Sequence, residues 1–256
     1  MRLIPVLLLA TALAATAHAT DDTALNAARQ QLAAGVSASN ADAILKSRAA
    51  FAALQNADPK DARLACWIAV ASWRAVPLLQ SSDVEQAKRV CKDGIAAADR
   101  AIALDPKLAD AVAIKAGLQG LSVSFNPALG MTLGGEMDEA YGRAEGLDAK
   151  NPRVALLKAM NTMHKPEFVG GGAKRAMPQF EKAIALFDAD SATANGFDWG
   201  RTDARIWAGR CQLKLGDAAK AKTYYEQALA TDAENVWITK VLMPAAQKAL
   251  AGKSAK

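Results

Sequence analysis

The segment Trp207–Asn235, WAGRCQLKLGDAAKAKTYYEQALATDAEN, reads as two short amphipathic helices joined by a tight turn. In the first, Ile206, Ala208, Gly209 and Leu213 share a partly apolar face. Gly216-Asp217 then ends one helix and begins the next, glycine supplying the left-handed stop and aspartate the N-cap oxygen. In the second, Ala221, Tyr225 and Ala228 follow one another at four and three residues, a single stripe of the helical period. The pattern has a steric logic. Small residues at Gly209, Ala221 and Ala228 let two antiparallel axes approach, and the ring of Tyr225 fills the space they leave.

The same second-helix signature recurs upstream. A first unit closes at Asn56–Pro59 with Phe51 as its ring, a second at Arg100–Pro106 (RAIALDP), and a third at Ala144–Pro152 with Tyr141. In a fourth, Ala176, Phe180 and Ala183 repeat the four-and-three spacing. Taking Pro59, Pro106, Ala149, Asp188 and Ala233 as equivalent, the steps are 47, 43, 39 and 45 residues. Gly209, Gly216, Ala221, Tyr225 and Ala228 together resemble the tetratricopeptide repeat, with Asp232-Ala233 standing where that family carries Asp-Pro or Asn-Pro. The usual period of the family is about 34, so each step here holds an insertion or a lengthened helix. The resemblance implies an all-α fold: about five helical hairpins in a right-handed superhelix, with a concave groove lined by the first helix of each pair. The units fall near 22–59, 61–106, 107–149, 152–188 and 200–233, with a capping helix over 235–251 whose Val236, Ile238, Val241 and Leu242 cover the last hairpin. No linker rich in Pro or Ser separates the units, so residues 20–256 are expected to form one domain.

Before the repeats, Arg2, the apolar run Leu3–Ala15 and the small-x-small Ala17-His18-Ala19 read as a cleaved secretory signal over residues 1–19. The run is too short to span a bilayer, and no cysteine follows the cut for lipid attachment. A periplasmic or secreted protein with no membrane span in its mature chain is expected. Loss of Arg2 takes the formal net charge from +5 to +4, which is mild for this length and argues against nucleic acid as a partner. Alanine dominates the composition, aromatics make up 5%, and no segment reads as a strand.

Three inserted loops, Ser124–Glu136, His164–Ala176 and Phe187–Arg201, carry the unusual residues, and loops on a rigid array are where ligand contacts concentrate. Gly170, Gly171 and Gly172, followed by Lys174 and Arg175, would place free amides and two cations at a helix start, an arrangement suited to an anion. Against that, no strand precedes the glycines and no phosphate-loop spacing is present, so a sharp turn packed on its own hairpin is the more economical reading. Pro166, the glycines, Phe180 and Trp199-Gly200 are similar to an insert found in exported tetratricopeptide proteins. Trp199, Arg201, Arg205 and Trp207 form the densest aromatic and guanidinium segment, which also includes Arg210. Arg201, Arg205 and Trp207 would line the groove and hold a partner's carboxylate; Trp67, Trp73 and Arg74 would do the same elsewhere. The competing reading for each is a core tryptophan or a solvated arginine.

Catalysis finds little support. Once His18 leaves with the signal, His164 is the one remaining histidine, and no G-x-S-x-G, H-E-x-x-H or C-x-x-C is present. No catalytic residue, metal or cofactor is therefore expected. Cys66 and Cys91 would sit on facing helices of the second hairpin, where an oxidising compartment would bond them if both faced the seam; otherwise they are small buried apolar residues, as is Cys211. The expected function is that of a non-catalytic scaffold or adaptor taking a protein or peptide in its groove. The alternative is a helical accessory protein of solute uptake, its small-ligand site built by the inserts from Phe168, Trp199 and the glycine loop.

Overall fold

The computed structural model describes residues 23–189 and 196–254; the secretory signal expected over residues 1–19 lies outside the described residues. Every regular element among those residues is helical. The helices are α1 (23–37), α2 (Ala41–Ala57), α3 (Ala62–Leu79), α4 (Val84–Leu104), α5 (Ala109–Phe125), α6 (Leu129–Leu147), α7 (Pro152–His164), α8 (Ala173–Ala189), α9 (Arg201–Lys214), α10 (Ala218–Leu229) and α11 (Met243–Ser254). Side-chain caps start several of them: Asn40, Asp61, Asp83, Asn151 and Asp217 each accept from a backbone amide of the first turn.

From α3 to α10 the helices pair as antiparallel hairpins, and the odd-numbered ones stack in file, α3 on α5, α5 on α7 and α7 on α9. The seams follow the small-against-large rule. Ala221, Tyr225 and Ala228 are fully buried, and a Cβ on Gly209 would collide with the Tyr225 ring, so only glycine lets α9 lie this close to α10. Phe51, Tyr141 and Phe180 are the corresponding buried rings of earlier hairpins. Helix α3 is long and apolar enough to cross a membrane by composition, yet most of it is buried in the core of the array.

The ends of the array meet. Ser37 Oγ, at the close of α1, donates to Asp232 beyond α10 at 2.6 Å. A solenoid of this length thus curls far enough for its first and last hairpins to touch.

Two sequence expectations are corrected, and a third is decided between its two alternatives. Ser124–Glu136 is not an inserted loop: only residues 126–128 are irregular, and α6 already runs from Leu129. Leu133 and Met137, four apart, pack against the core, and this burial outweighs the helix cost of Gly130, Gly134 and Gly135. In the cap, a π-turn over Ile238–Leu242 resets the register, so Ile238, Leu242 and Ala246 face the last hairpin while Val236 and Val241 face solvent. Finally, Cys66, Cys91 and Cys211 are all free and buried. A Cβ on Gly94 would fall 2.6 Å from that of Ser72, which fixes the α3/α4 register. Cys66 and Cys91 are then offset by about nine residues, roughly 14 Å of helix axis and beyond the reach of a disulfide. Burial pushes the Cys66 thiol well up, and holds Cys91 and Cys211 at about 11.

The packing makes two outcomes testable. Gly209→Ala should destabilise by about 1–3 kcal/mol through overpacking, whereas Gly142→Ala, whose Cβ meets nothing, should stabilise by about 0.5–1 kcal/mol; urea unfolding of the two variants side by side reads both signs. Protein prepared without reductant should show no thiol reactive to a disulfide reagent while native, and all three cysteines reactive once unfolded.

Candidate functional site

The inner face, lined by the odd-numbered helices, is where a repeat array ordinarily receives a partner. Here part of it is taken by the chain itself. Residues 196–200, at the end of the third insert, lie across it. Phe197 is fully buried, its ring 5.1 Å from that of Trp67, which in turn stacks on Phe51 at 5.3 Å and 12°. The Phe197 carbonyl accepts from Arg153 of α7 at 3.1 Å, and Asp198 pairs with Arg29 of α1 at 2.6 Å. Trp199 lies 5.7 Å from Trp73, and the Arg74 guanidinium sits over both rings while binding both oxygens of Asp203 on α9. Gly200 turns the chain into α9 at φ 106°, with Phe187 directly against its α-carbon.

Trp67, Trp199 and Arg74 are therefore internal, joining α3 to the insert and to α9. Arg201 and Arg205 likewise meet a carboxylate of the chain, Asp188 at the end of α8, at 3.2 Å and 2.7 Å. In the glycine loop the three amides are spent on carbonyls: Gly170 donates to Glu167, Gly171 to Pro166 and Gly172 to Thr162. The Glu167 side chain also lies against Gly172 at the start of α8, placing a carboxylate where an anion would come. The loop is a turn packed on its own hairpin. Lys174 and Arg175 face solvent, and Phe168 is 89% exposed at its tip with Val169 beside it.

One sequence-marked residue remains accessible on the inner face with unusual neighbours. Along α9, Asp203, Trp207, Arg210 and Lys214 form one stripe at four, three and four residues. Asp203 is engaged by Arg74. Further on, the Arg210 guanidinium lies over Trp207 at 4.1 Å and over Trp237 of the cap at 5.1 Å, and His164 at the end of α7 meets the Trp207 ring edge-on at 5.3 Å. His164 is exposed and Trp207, Arg210 and Trp237 are half-buried. Partial burial, with Arg210 and Lys214 nearby, lowers the His164 pKa, while its Nδ1 hydrogen bond to the Met160 carbonyl opposes the shift. Trp237 and Lys214 were not singled out by sequence reasoning. Trp237 lies in the cap, and its approach to Trp207 depends on the π-turn register.

Among the described residues no three His, Cys, Asp or Glu side chains come together as a metal would require. Two open surface cavities, about 390 and 340 Å³, lie elsewhere: one between α4 and the α5–α6 turn, the other between the starts of α3 and α5 and the ends of α4 and α6.

No protein-family model matches the chain, and no sequence of a characterised protein matches it either. Among solved structures it superposes on TTC0263, a thermophilic tetratricopeptide protein of Thermus thermophilus, with TM-score 0.63 at 14% identity, over 90% of this chain and 99% of that one. It also superposes on the HusA haemophore of Porphyromonas gingivalis, with TM-score 0.61 at 20% identity, over 73% of this chain and 92% of the other. The fold is a tetratricopeptide-like solenoid.

Removing the ring that fills the inner face tests its structural weight. Phe197→Ala should cost about 3–5 kcal/mol in urea unfolding, with hydrogen exchange quickening first in α3 and α7, the helices it bridges.

Proposed function

We propose that this is a non-catalytic binding protein of the periplasm or the extracellular medium, which captures a partner polypeptide by a short segment on the inner face. The observation that carries the reading is the lodging of Phe197–Trp199 among α1, α3 and α7. A long extended peptide has no continuous track there. The accessible stretch is the aromatic and basic patch of His164, Trp207, Arg210, Lys214 and Trp237, whose half-buried rings and cations are the residue types that anchor protein interfaces. The secretory signal read at residues 1–19 supplies the compartment.

A second reading, capture of a small ligand by the same patch, is favoured by two adjacent indole faces around one guanidinium, and a haemophore is among the proteins that share this fold. Native mass spectrometry of the protein taken from a periplasmic extract after crosslinking separates the two. A retained polypeptide that is lost in Trp207→Ala supports the capture of a partner segment. A retained small mass lost in the same variant supports the second reading and overturns the first. Protein that is empty after crosslinking, or a companion unaffected by Trp207→Ala, overturns both.

A further inference from the structure

The less exposed arginines of this chain come with acids. Among the described residues, the arginines that are buried or half-buried are Arg29, Arg48, Arg74, Arg153, Arg201 and Arg205, each within salt-bridge distance of an aspartate, and Arg210. Arg210 differs. It makes no hydrogen bond and no ion pair with any described residue, and what surrounds it is aromatic: Trp207 and Trp237, whose rings meet edge to face at 6.2 Å and 67°, hold the guanidinium in the corner between them.

That arrangement is costly in isolation. A guanidinium partly withdrawn from water loses some hydration, the two indoles return part of it through cation–π attraction, and its N–H edge is left to solvent with no acceptor from the chain. The neighbours add to the deficit of negative charge. Lys214 is a second cation on the same side, and His164 beside it is held neutral by its lowered pKa. The Tyr225 hydroxyl, on a fully buried residue within electrostatic reach of Arg210, has no hydrogen-bond partner among the described residues. Burial draws the guanidinium pKa down from its ordinary value, the response of a cation lacking its counter-ion.

A carboxylate completes this site better than other anions. Its two oxygens match the guanidinium fork in one plane, and a flat group attached to it suits the partly exposed indoles beside that fork. We propose that Arg210, set in the corner of Trp207 and Trp237, is the anchor for a carboxylate borne on an aromatic or otherwise planar group. The source is either the free C-terminus of a partner chain ending in an aromatic residue or a small aromatic acid. This assignment rests on the inner-face capture described above and names the chemistry that performs it.

The full mature protein, excited at 295 nm, reports the site through its own indoles, and four probes suffice: benzoate, benzamide, an acetylated tripeptide ending in phenylalanine with a free carboxylate, and its amide. Benzoate and the free-acid peptide should both change the emission, saturably, and the two amides should not. A peptide acid bound more tightly than benzoate identifies a chain terminus as the source; the reverse order identifies a small acid. Arg210→Met should weaken the acids by roughly tenfold or more, and Arg210→Lys should fall between, because an ammonium keeps the charge but loses the fork. Arg210 has no ion pair to lose and only its cation–π contacts are removed, so both variants should stay folded with a thermal midpoint lowered by no more than a few degrees. Amides that bind as well as acids, acids that bind Arg210→Met as well as the parent, or a parent that binds none of the four would overturn the proposal. If Arg210→Met still retains the crosslinked companion that Trp207→Ala loses, carboxylate anchoring fails while inner-face capture stands. If the acids bind through Arg210 but no companion depends on Trp207, capture fails and the carboxylate chemistry stands.

Discussion

A charge buried to 1% exposure holds the interior together. Arg153 on α7 pairs through Nε with Asp110 of α5 at 2.5 Å and donates from an Nη to the Phe197 carbonyl, while Asn151 satisfies the other Asp110 oxygen at 2.7 Å. Withdrawing two opposite charges from water is expensive, and their attraction repays the cost only when the remaining lone pairs and protons also find partners. Here those partners come from three places in the chain, so two stacked hairpins and the insert must all be in position at once. The consequences spread outward. Phe197, held by its carbonyl, completes the aromatic column with Trp67 and Phe51; Trp199 then reaches Trp73; and Arg74 can bridge to Asp203. Even the Cys66 thiol responds, its pKa raised by burial first and by Asp110 second.

The helical plan is legible in the sequence because its causes are local. A stripe such as Ala221, Tyr225 and Ala228, with Gly209 opposite, states its packing within about twenty residues. What escapes the sequence is whatever depends on distant partners. Arg74 finds Asp203 across 129 positions, and nothing near either residue announces the other. The start of α6 is hidden for a different reason: glycine and proline argue for a loop, but the apolar residues among them find a core to bury against, and burial outweighs propensity. The cysteine pairing fails on register, since two helices that face one another still place particular side chains at different heights.

The candidate site is legible only in part. The segment from Trp199 to Arg210 stands out as rich in rings and guanidinium groups, yet those residues divide into opposite roles. Trp199 belongs to the core, Arg201 and Arg205 are taken by Asp188, and Trp207 and Arg210 keep open edges. Residue type alone does not sort them, because the sorting depends on where the chain's own acids lie. An exposed function in this protein is what internal pairing leaves over, and pairing is a tertiary fact.

Contact between Ser37 and Asp232 bears on how this molecule can change over evolutionary time. Open solenoids lengthen or shorten freely, because an added unit meets only its two neighbours. An array whose beginning touches its end has a circumference to close. One hairpin more or fewer would carry the two termini past each other and would also pull Arg29 away from Asp198 and Arg74 from Asp203. This contact is thereby matched to this number of hairpins, and insert length and side chains are where the chain can change without opening it.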